Sequence, residues 1–112
     1  MTNPPYTEDN PMPLEIIRQT NDLLRSTMLT NSKRRVVLSQ LVAGAVEREA
    51  IITAVRAFDA WNEDNDPHGE HDFGKVEVDG EGYFFKIDYF NEDMTGFGYD
   101  TFVMTIMHES EY

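Results

Sequence analysis

The segment that decides the fold is residues 75–90, KVEVDGEGYFFKIDYF, in which apolar and polar residues alternate on both sides of a turn. Val76 and Val78 alternate with charged residues, and aromatic or aliphatic residues recur at every second position of 83–90. A period of two is typical of β-strands that bury one face. Residues 79–82, DGEG, favour a tight turn. The segment therefore predicts a β-hairpin. The side chains expected to face the core are Tyr83, Phe85, Ile87 and Tyr89.

Two further segments have the character of strands. Residues 34–39, RRVVLS, are short, β-branched and bounded by polar residues. Residues 102–108, FVMTIMH, alternate again and follow a glycine-containing loop at 91–100. Together with the hairpin, these segments predict an antiparallel sheet of about four strands.

Two other segments have the period of amphipathic helices. Apolar residues recur at helical spacing from Pro13 to about residue 30 and again at 47–61. Residues 41–46 leave a separate helical turn and a loop as alternatives, because Gly44 weakens a continuous helix. Asn21 lies on the apolar stripe of the first helix. We expect it to hydrogen-bond a neighbouring backbone segment, since an unpaired buried amide costs about 1–3 kcal/mol. The order α-β-α-β-β-β predicts an α+β two-layer sandwich with two helices on one face of the sheet.

Length and composition favour one domain. The chain has 112 residues, of which 40% are hydrophobic, enough for one modest core. Residues 1–12 include four prolines and almost no aliphatic side chains, which predicts a flexible N-terminal arm before a single domain at 13–112. Neither a membrane-length apolar run nor a signal peptide is found, so we expect a cytoplasmic protein without membrane contact. The lack of cysteine excludes disulfides, thiolate zinc sites and cysteine nucleophiles.

Negative charge is concentrated in the second half of the chain. Residues 1–56 carry seven basic and six acidic groups, whereas residues 57–112 carry two basic and fifteen acidic groups. The summed field of such a chain repels nucleic acid and attracts basic proteins or cations. We therefore expect a basic protein or protein complex as the partner and no direct binding of nucleic acid. The role of the basic cluster at 33–35, KRR, stays open.

The centre of the acidic half is residues 63–73, EDNDPHGEHDF, with five carboxylates and two of the three histidines. Such side chains bind divalent cations. The residues considered as a metal set are His68, Glu70, His71 and Asp72. The spacing argues against an EF-hand, because Pro67 stands where the loop requires glycine. The lack of cysteine argues against a zinc deaminase site.

A structural interpretation of the same run is the alternative. Residues 64–67 favour a turn capped by side chains, Gly69 permits a reversal, and Phe73 anchors the next strand. His71 or Asp72 is then a buried hydrogen-bonding brace. The residues expected to shape the fold are Pro67, Gly69, His71, Asp72 and Phe73.

Closely spaced carboxylates can also imitate the phosphates of a nucleic acid to a basic groove. The candidate partner-binding residues are Glu63, Asp64, Asp66, Glu70, Glu77, Asp79, Glu81, Glu92, Asp93 and Asp100. Phe84, Phe90 and Phe97 are candidate apolar anchors, because interface hot spots are commonly aromatic. Packing beneath loops and a homodimer interface are the other uses that the pattern leaves open, and an acidic surface that only maintains solubility is the simpler alternative.

The acidic half contains no recognisable catalytic motif. No nucleophile motif, phosphate-binding glycine loop or HExxH helix accompanies the carboxylates. We therefore assign no catalytic residue and expect no cofactor.

Three segments together are similar to a known family: 55–60, VRAFDA; 63–74, EDNDPHGEHDFG; and 85–89, FKIDY. They resemble the bacterial and phage family named domain of unknown function 3768. The similarity extends to Asn21, Asp22, Arg25 and to 35–38, 104–107 and 111–112. The resemblance implies no activity, because the family has none established, but it implies a setting on phages, plasmids and other mobile elements. The chain departs from the family at its short loop 91–100 and at His108, where an apolar residue is more usual. The second departure weakens any site built on three histidines.

The leading hypothesis is a non-enzymatic acidic protein that binds and inhibits a basic nucleic-acid-handling machine, of anti-CRISPR or anti-restriction type. One alternative is a divalent-metal-binding protein or metal-dependent hydrolase centred on residues 63–72. The other is a homo-oligomeric accessory or regulatory domain.

Overall fold

A computed structural model describes residues 6–112 of the chain. The helices are α1 (Leu14–Thr27), α2 (Gln40–Ala43) and α3 (Arg48–Arg56). The strands are β1 (Arg34–Leu38), β2 (Phe73–Val78), β3 (Glu81–Phe90) and β4 (Thr101–His108). A short 3-10 helix, Glu109–Glu111, follows β4. The predicted α+β class is confirmed.

The four strands form one sheet in the order β1-β4-β3-β2. β2, β3 and β4 are antiparallel neighbours, whereas β1 runs parallel to β4, with Val36 opposite Met104. The sheet is therefore mixed, and the prediction of a purely antiparallel sheet was wrong for β1. Alternation along a strand shows which face is buried but not the direction of its neighbour. Parallel pairing requires a long crossover, which α2, α3 and the hairpin provide.

The helices cover one face of the sheet. α3 packs on β2, α2 packs on β4 and β1, and α1 packs on α3. Phe85 of β3 and Phe102 of β4 are fully buried in one core with Ile17, Ile51 and Val55 of the helices. The predicted core face of the hairpin is confirmed, because Tyr83, Phe85 and Ile87 are buried and Tyr89 packs against the same core.

α3 ends at Arg56, five residues before the predicted end at Trp61. The side chain of Asn65 accepts a hydrogen bond from the Asn62 backbone N–H and donates one to the Ala60 carbonyl, both at 2.9 Å. Such side-chain bonds compete with helical hydrogen bonds. Trp61 nevertheless packs edge-on to Phe85, with 6.1 Å between ring centroids. The last apolar residue of the predicted helix therefore still contacts the core, although it lies in the segment after the helix.

α1 ends at Thr27, where Met28 takes a left-handed conformation and its N–H bonds the Leu24 carbonyl. The helix therefore ends about three residues before the predicted end near residue 30. Residues 1–5 of the predicted arm lie outside the described residues. Of its remainder, Met12 is buried in the core and Tyr6 packs against it. The flexibility of residues 6–12 stays a prediction.

Residues 40–43 form the separate helical turn that the sequence left open. Ser39 caps it by accepting a hydrogen bond from the Val42 N–H. The Glu111 carboxylate accepts hydrogen bonds from the Ser39 hydroxyl at 2.6 Å and the Leu41 N–H at 3.2 Å. The end of the chain is thereby fastened to α2. Within residues 6–112, none of the helices has both the length and the apolar character that a membrane crossing requires.

Candidate functional site

The acidic run forms a loop closed by its own side chains. Asn62 Oδ1 accepts hydrogen bonds from the backbone N–H groups of Asp64 at 2.8 Å and Asn65 at 3.0 Å. Asp66 Oδ1 accepts a hydrogen bond from the His71 N–H at 3.0 Å. A side-chain-capped turn forms as predicted, but it spans residues 62–66 rather than 64–67, and Asn62 caps it. Gly69 has a φ of 69°, a left-handed conformation that glycine adopts without steric cost, which confirms the predicted reversal.

One face of α1 holds this loop. The residues that share the face at helical spacing are Arg18, Asn21, Asp22 and Arg25. Arg18 Nε donates to the Gly69 carbonyl at 2.7 Å, and Asn21 Nδ2 donates to the Glu70 carbonyl at 3.0 Å. The second bond confirms that Asn21 pairs with a neighbouring backbone segment. Asn21 Oδ1 and Arg25 Nε are buried and make no hydrogen bond within residues 6–112.

His71 lies at the centre of the contacts between α1 and the loop. Its Nδ1 is 2.8 Å from Asp22 Oδ1, and its Nε2 is 3.6 Å from Asp66 Oδ2. The Asp66 side chain is only 5% exposed, and Asp22 also pairs with Arg25 at 2.9 Å. His71 has a φ of 58°, which few residues other than glycine adopt. Because both ring nitrogens face carboxylates of the protein, the ring is a hydrogen-bonding brace, one of the two residues predicted for that role.

Glu70 is turned towards the sheet. Its Oε1 accepts a hydrogen bond from the Tyr89 hydroxyl at 2.7 Å, and that hydroxyl accepts a bond from Asn21 Nδ2 at 2.9 Å. Burial of the Tyr89 ring, together with its bond to Glu70, raises the pKa of the phenol well above its usual value. Tyr89 is therefore a neutral hydrogen-bond donor here, and the Glu70 carboxylate is committed to it.

Asp72 joins the loop to the sheet through its backbone. Its carbonyl accepts a hydrogen bond from the Ile87 N–H at 2.8 Å. Burial raises the pKa of its half-buried carboxyl, and the negative charge of Glu70 raises it further. The surroundings of the Asp72 carboxyl, partial burial and a nearby carboxylate, thus disfavour its ionised form.

The structure separates the ten candidate partner-binding residues into two groups. The exposed group is Glu63, Asp64, Glu77, Asp79, Glu81, Glu92 and Asp93. The less exposed group has partners inside the protein: Asp66 bonds His71, Glu70 bonds Tyr89, and Asp100 pairs with Lys33 at 3.2 Å. The seven exposed carboxylates are thus the ones that a partner can reach. Four further carboxylates outside this predicted set are exposed as well: Glu8, Asp9, Glu109 and Glu111.

The exposed carboxylates occupy both ends of the sheet. Glu77, Asp79 and Glu81 surround the tip of the β2–β3 hairpin, which we call the hairpin end, and Glu109 joins them there. The Gly82 N–H, followed by Lys75, lowers the pKa of the Glu109 carboxyl. Because β3 runs away from this tip, Glu92 and Asp93 of the loop after β3 lie at the opposite end of the sheet, which we call the loop end.

Donors suited to a metal ion converge at the hairpin end. Within residues 6–112, one oxygen or nitrogen from each of Glu81, His108 and Glu109 lies within 4.8 Å of the others. His108 Nε2 is 2.7 Å from Glu81 Oε1, and Glu109 pairs with Lys75 at 3.3 Å. Among the same residues 6–112, the alternative metal set does not form such a group; that set is His68, Glu70, His71 and Asp72. A metal at residues 63–72 stays a prediction.

A cleft opens at the loop end, with a volume of about 380 Å³. Aromatic rings and carboxylates line it together, and the rings belong to Tyr6, Phe97 and Tyr99. Of the three aromatic anchors considered from sequence, Phe97 is 50% exposed, whereas Phe84 and Phe90 are less exposed. Phe84 instead contacts Phe73 and Tyr112 on the face of the sheet away from the helices.

A family model described as protein of unknown function, DUF3768, matches residues 36–111. The chain belongs to the DUF3768 family. The matched segment begins within β1, so Asn21, Asp22 and Arg25 of α1 precede it. All of the acidic loop and the four residues Trp61, Glu70, His71 and Tyr89 lie inside it. No curated protein and no solved structure matches the chain.

Proposed function

We propose that this DUF3768 protein is a non-enzymatic acidic protein that binds and inhibits a basic protein or complex that handles nucleic acid. The observation that carries the proposal is the exposure of its carboxylates. Ten of the fifteen acidic residues in 57–112 are exposed, while the two basic residues of that half are Lys75 and Lys86. Such a surface attracts a positively charged groove and repels nucleic acid itself.

The internal contacts of the acidic loop support this assignment over an enzyme. The imidazole of His71 hydrogen-bonds Asp22 and faces Asp66 at 3.6 Å, and the Glu70 carboxylate accepts a hydrogen bond from Tyr89. General acid–base catalysis needs a proton donor or acceptor within reach of a substrate. These partly buried groups already pair with one another and hold the loop, which leaves the exposed carboxylates as the groups that a partner meets.

The partner class follows from charge and from the family's setting. Grooves that bind nucleic acid are rich in lysine and arginine, and they accept acidic surfaces at rates and affinities that salt reduces. The resemblance to proteins of phages and plasmids favours a cytoplasmic bacterial defence complex as the target, of the CRISPR or restriction type. Mimicry of nucleic acid is the form of inhibition that this charge distribution favours.

The proposal is tested by capture and competition. The tagged protein is incubated with lysate of its native host at rising NaCl concentration, and the captured complex is purified and assayed for binding of its own nucleic acid. We expect capture to weaken steeply with salt and the protein to compete with the nucleic acid. A captured complex that binds equally at all salt concentrations, or that still binds nucleic acid fully, contradicts the proposal.

Two charge variants sharpen the experiment. The first removes three charges at the hairpin end: Glu77→Gln, Asp79→Asn and Glu81→Gln. The matched control removes three exposed charges elsewhere: Glu15→Gln, Glu49→Gln and Asp59→Asn. Both change the net charge equally, so a purely nonspecific attraction weakens to the same extent in each. A local interface weakens more with the first variant.

A further inference from the structure

The cleft at the loop end combines two features of sites that hold organic cations. Its rings include Phe97, which is half exposed, and Tyr99, which meets Phe97 edge to face with 5.0 Å between ring centroids. Its carboxylates include Glu8, Asp9 and Glu92, all of them exposed. The faces of aromatic rings attract cations, and nearby carboxylates strengthen that attraction.

The negative charge of the cleft is largely uncompensated. Asp100 at its edge is paired with Lys33 and accepts a hydrogen bond from the Thr101 hydroxyl. By contrast, the side chains of Glu8, Asp9 and Glu92 form no ion pair within residues 6–112. Burial of the Tyr99 ring raises the pKa of its phenol, and the charges of Glu70 and Glu8 contribute in the same direction. Because Glu8, Asp9 and Glu92 line the cleft together with Phe97 and Tyr99, they place negative charge beside the rings that a cation would contact.

Tyr89 packs against two of the aromatic rings of the cleft, Phe97 and Tyr99. Tyr89 contacts Tyr99 and Phe97 at centroid distances of 6.4 and 6.5 Å and leans on the buried Phe102 at 4.7 Å. The same region already holds one guanidinium, since Arg34 Cζ lies 4.7 Å above the Phe102 ring. Arg34 Nη1 also donates to the Asp100 carbonyl at 3.1 Å. The chain thus already holds one arginine against an aromatic face at this end of the sheet.

We propose that the cleft binds an arginine side chain presented by the basic partner. A guanidinium is planar, so it can stack on Phe97 or Tyr99 while its separate N–H groups reach different carboxylates. An ammonium is a compact, strongly hydrated charge that gains less from a ring face. The cleft volume of about 380 Å³ lies at the small end of ligand sites, which suits one side chain better than a larger molecule. The inference rests on the proposed function for its assumption that the partner is a protein.

The probe for the test is a capped glycyl-arginyl-glycine amide, titrated into the full chain and followed by amide NMR shifts. Matched peptides carry citrulline or lysine in place of arginine. We expect the shifts to concentrate in residues 6–9 and 91–100, with citrulline binding lost and lysine weaker. Shifts that are centred elsewhere, or that are equal for citrulline, overturn the inference.

Variants separate the ring from the charges. Phe97→Ala removes the exposed ring and is expected to weaken the arginine peptide about 2- to 10-fold. Glu92→Gln is expected to weaken it and to reduce its salt dependence. Val46→Ala, at a side chain that is 96% exposed in another region, is the control and leaves binding unchanged. Unchanged binding by both Phe97→Ala and Glu92→Gln contradicts the inference.

The same variants distinguish failure of this inference from failure of the proposed function. If capture of the basic partner is lost with the hairpin-end charges but is unaffected by Phe97→Ala, the proposed function stands and the cleft inference falls. If the arginine peptide binds in the cleft but no basic partner is captured from the host, the cleft inference stands and the proposed function falls.

Discussion

The imidazole of His71 lies flat on the indole of Trp61, with 4.0 Å between ring centroids and 7° between ring planes. Trp61 precedes the acidic loop and His71 lies near its end, so their stacking closes the loop. The Asp22 carboxylate, 2.8 Å from Nδ1 of His71, holds the imidazole to α1. Arg25 completes the stack from α1, with its Cζ 5.2 Å from the indole centroid. The acidic loop, which carries five of the 21 acidic residues, is therefore fixed to the helical layer.

The first prediction concerns this brace. His71→Ala removes the bond to Asp22 and the stacking on Trp61, and we expect a loss of about 2–3 kcal/mol in the free energy of unfolding. His68→Ala, at an exposed histidine of the same loop, is the control and is expected to change it by less than about 0.5 kcal/mol. Urea denaturation followed by the fluorescence of Trp61, the one tryptophan of the chain, measures both. Equal stability of the two variants contradicts the brace.

The second prediction concerns Asn21, which is fully buried. Asn21→Ala leaves the Glu70 carbonyl and the Tyr89 hydroxyl without this donor, and we expect a loss of about 1–3 kcal/mol. Asn21→Asp places a carboxylate against the Glu70 carbonyl, so it is expected to be worse than alanine at neutral pH and to improve in acid. Gln19→Ala, exposed on the same helix, is the control. Thermal unfolding of the three variants at two pH values gives the order, and an Asn21→Ala as stable as the control argues against the role.

The sequence predicted those features that depend on local pattern. Val76 and Val78 with residues 83–90 specified the hairpin, because alternation and turn chemistry lie within sixteen consecutive residues. Asn21 was predictable for another reason, since an amide on an apolar stripe must find a partner. Gly69 and the turn before it were predictable from backbone preferences alone.

The features that were missed depend on contacts distant in sequence. Asp22 and His71 are 49 residues apart, and nothing in either local sequence indicates that they meet. The direction of β1 depends on its neighbour β4, which lies more than 60 residues later. The internal hydrogen bonds of Asp66 and Glu70 could not be predicted either, because the sequence does not distinguish an exposed carboxylate from one that is bonded within the protein. The acidic loop signalled importance but not which of its members face solvent.

The third prediction concerns pH. In the folded protein burial and the charge of Glu70 raise the pKa of Asp72, so the folded state disfavours its ionised form. Well below about pH 4 the carboxyl is protonated in both folded and unfolded chains and causes no penalty. As pH rises from the unfolded pKa of about 4 through the raised folded pKa, the unfolded chain loses its proton first, and stability falls. Asp72→Asn is therefore expected to be more stable than the parent at pH 7, with the difference vanishing near pH 3.

Urea denaturation at several pH values measures this difference. The control is Asp59→Asn, at an exposed aspartate whose side chain makes no hydrogen bond within residues 6–112. Its stability relative to the parent is expected to change little across the same range. If Asp72→Asn is less stable than the parent at pH 7, the carboxylate makes a favourable contact that outweighs its burial.

The last prediction concerns the shape of the loop end. A Cβ added at Gly98 would lie 2.6 Å from Asn91 Cα and 2.8 Å from Asn91 N, both backbone atoms that cannot turn aside. Gly98→Ala must therefore displace the loop, and we expect a loss of about 1–3 kcal/mol. A Cβ at Gly96 meets only the Asn91 amide nitrogen of the side chain, at 3.9 Å, so Gly96→Ala is the matched control.

The two glycine variants also separate the fold of the loop from its charge, since neither changes a titratable group. Gly98→Ala is expected to shift the amide resonances of residues 91–100 and to weaken binding of the arginine peptide, whereas Gly96→Ala retains both the resonances and the affinity. Urea denaturation supplies the stability of each. If Gly98→Ala binds the peptide as the parent does while its loop resonances have moved, the peptide does not depend on the geometry of this cleft.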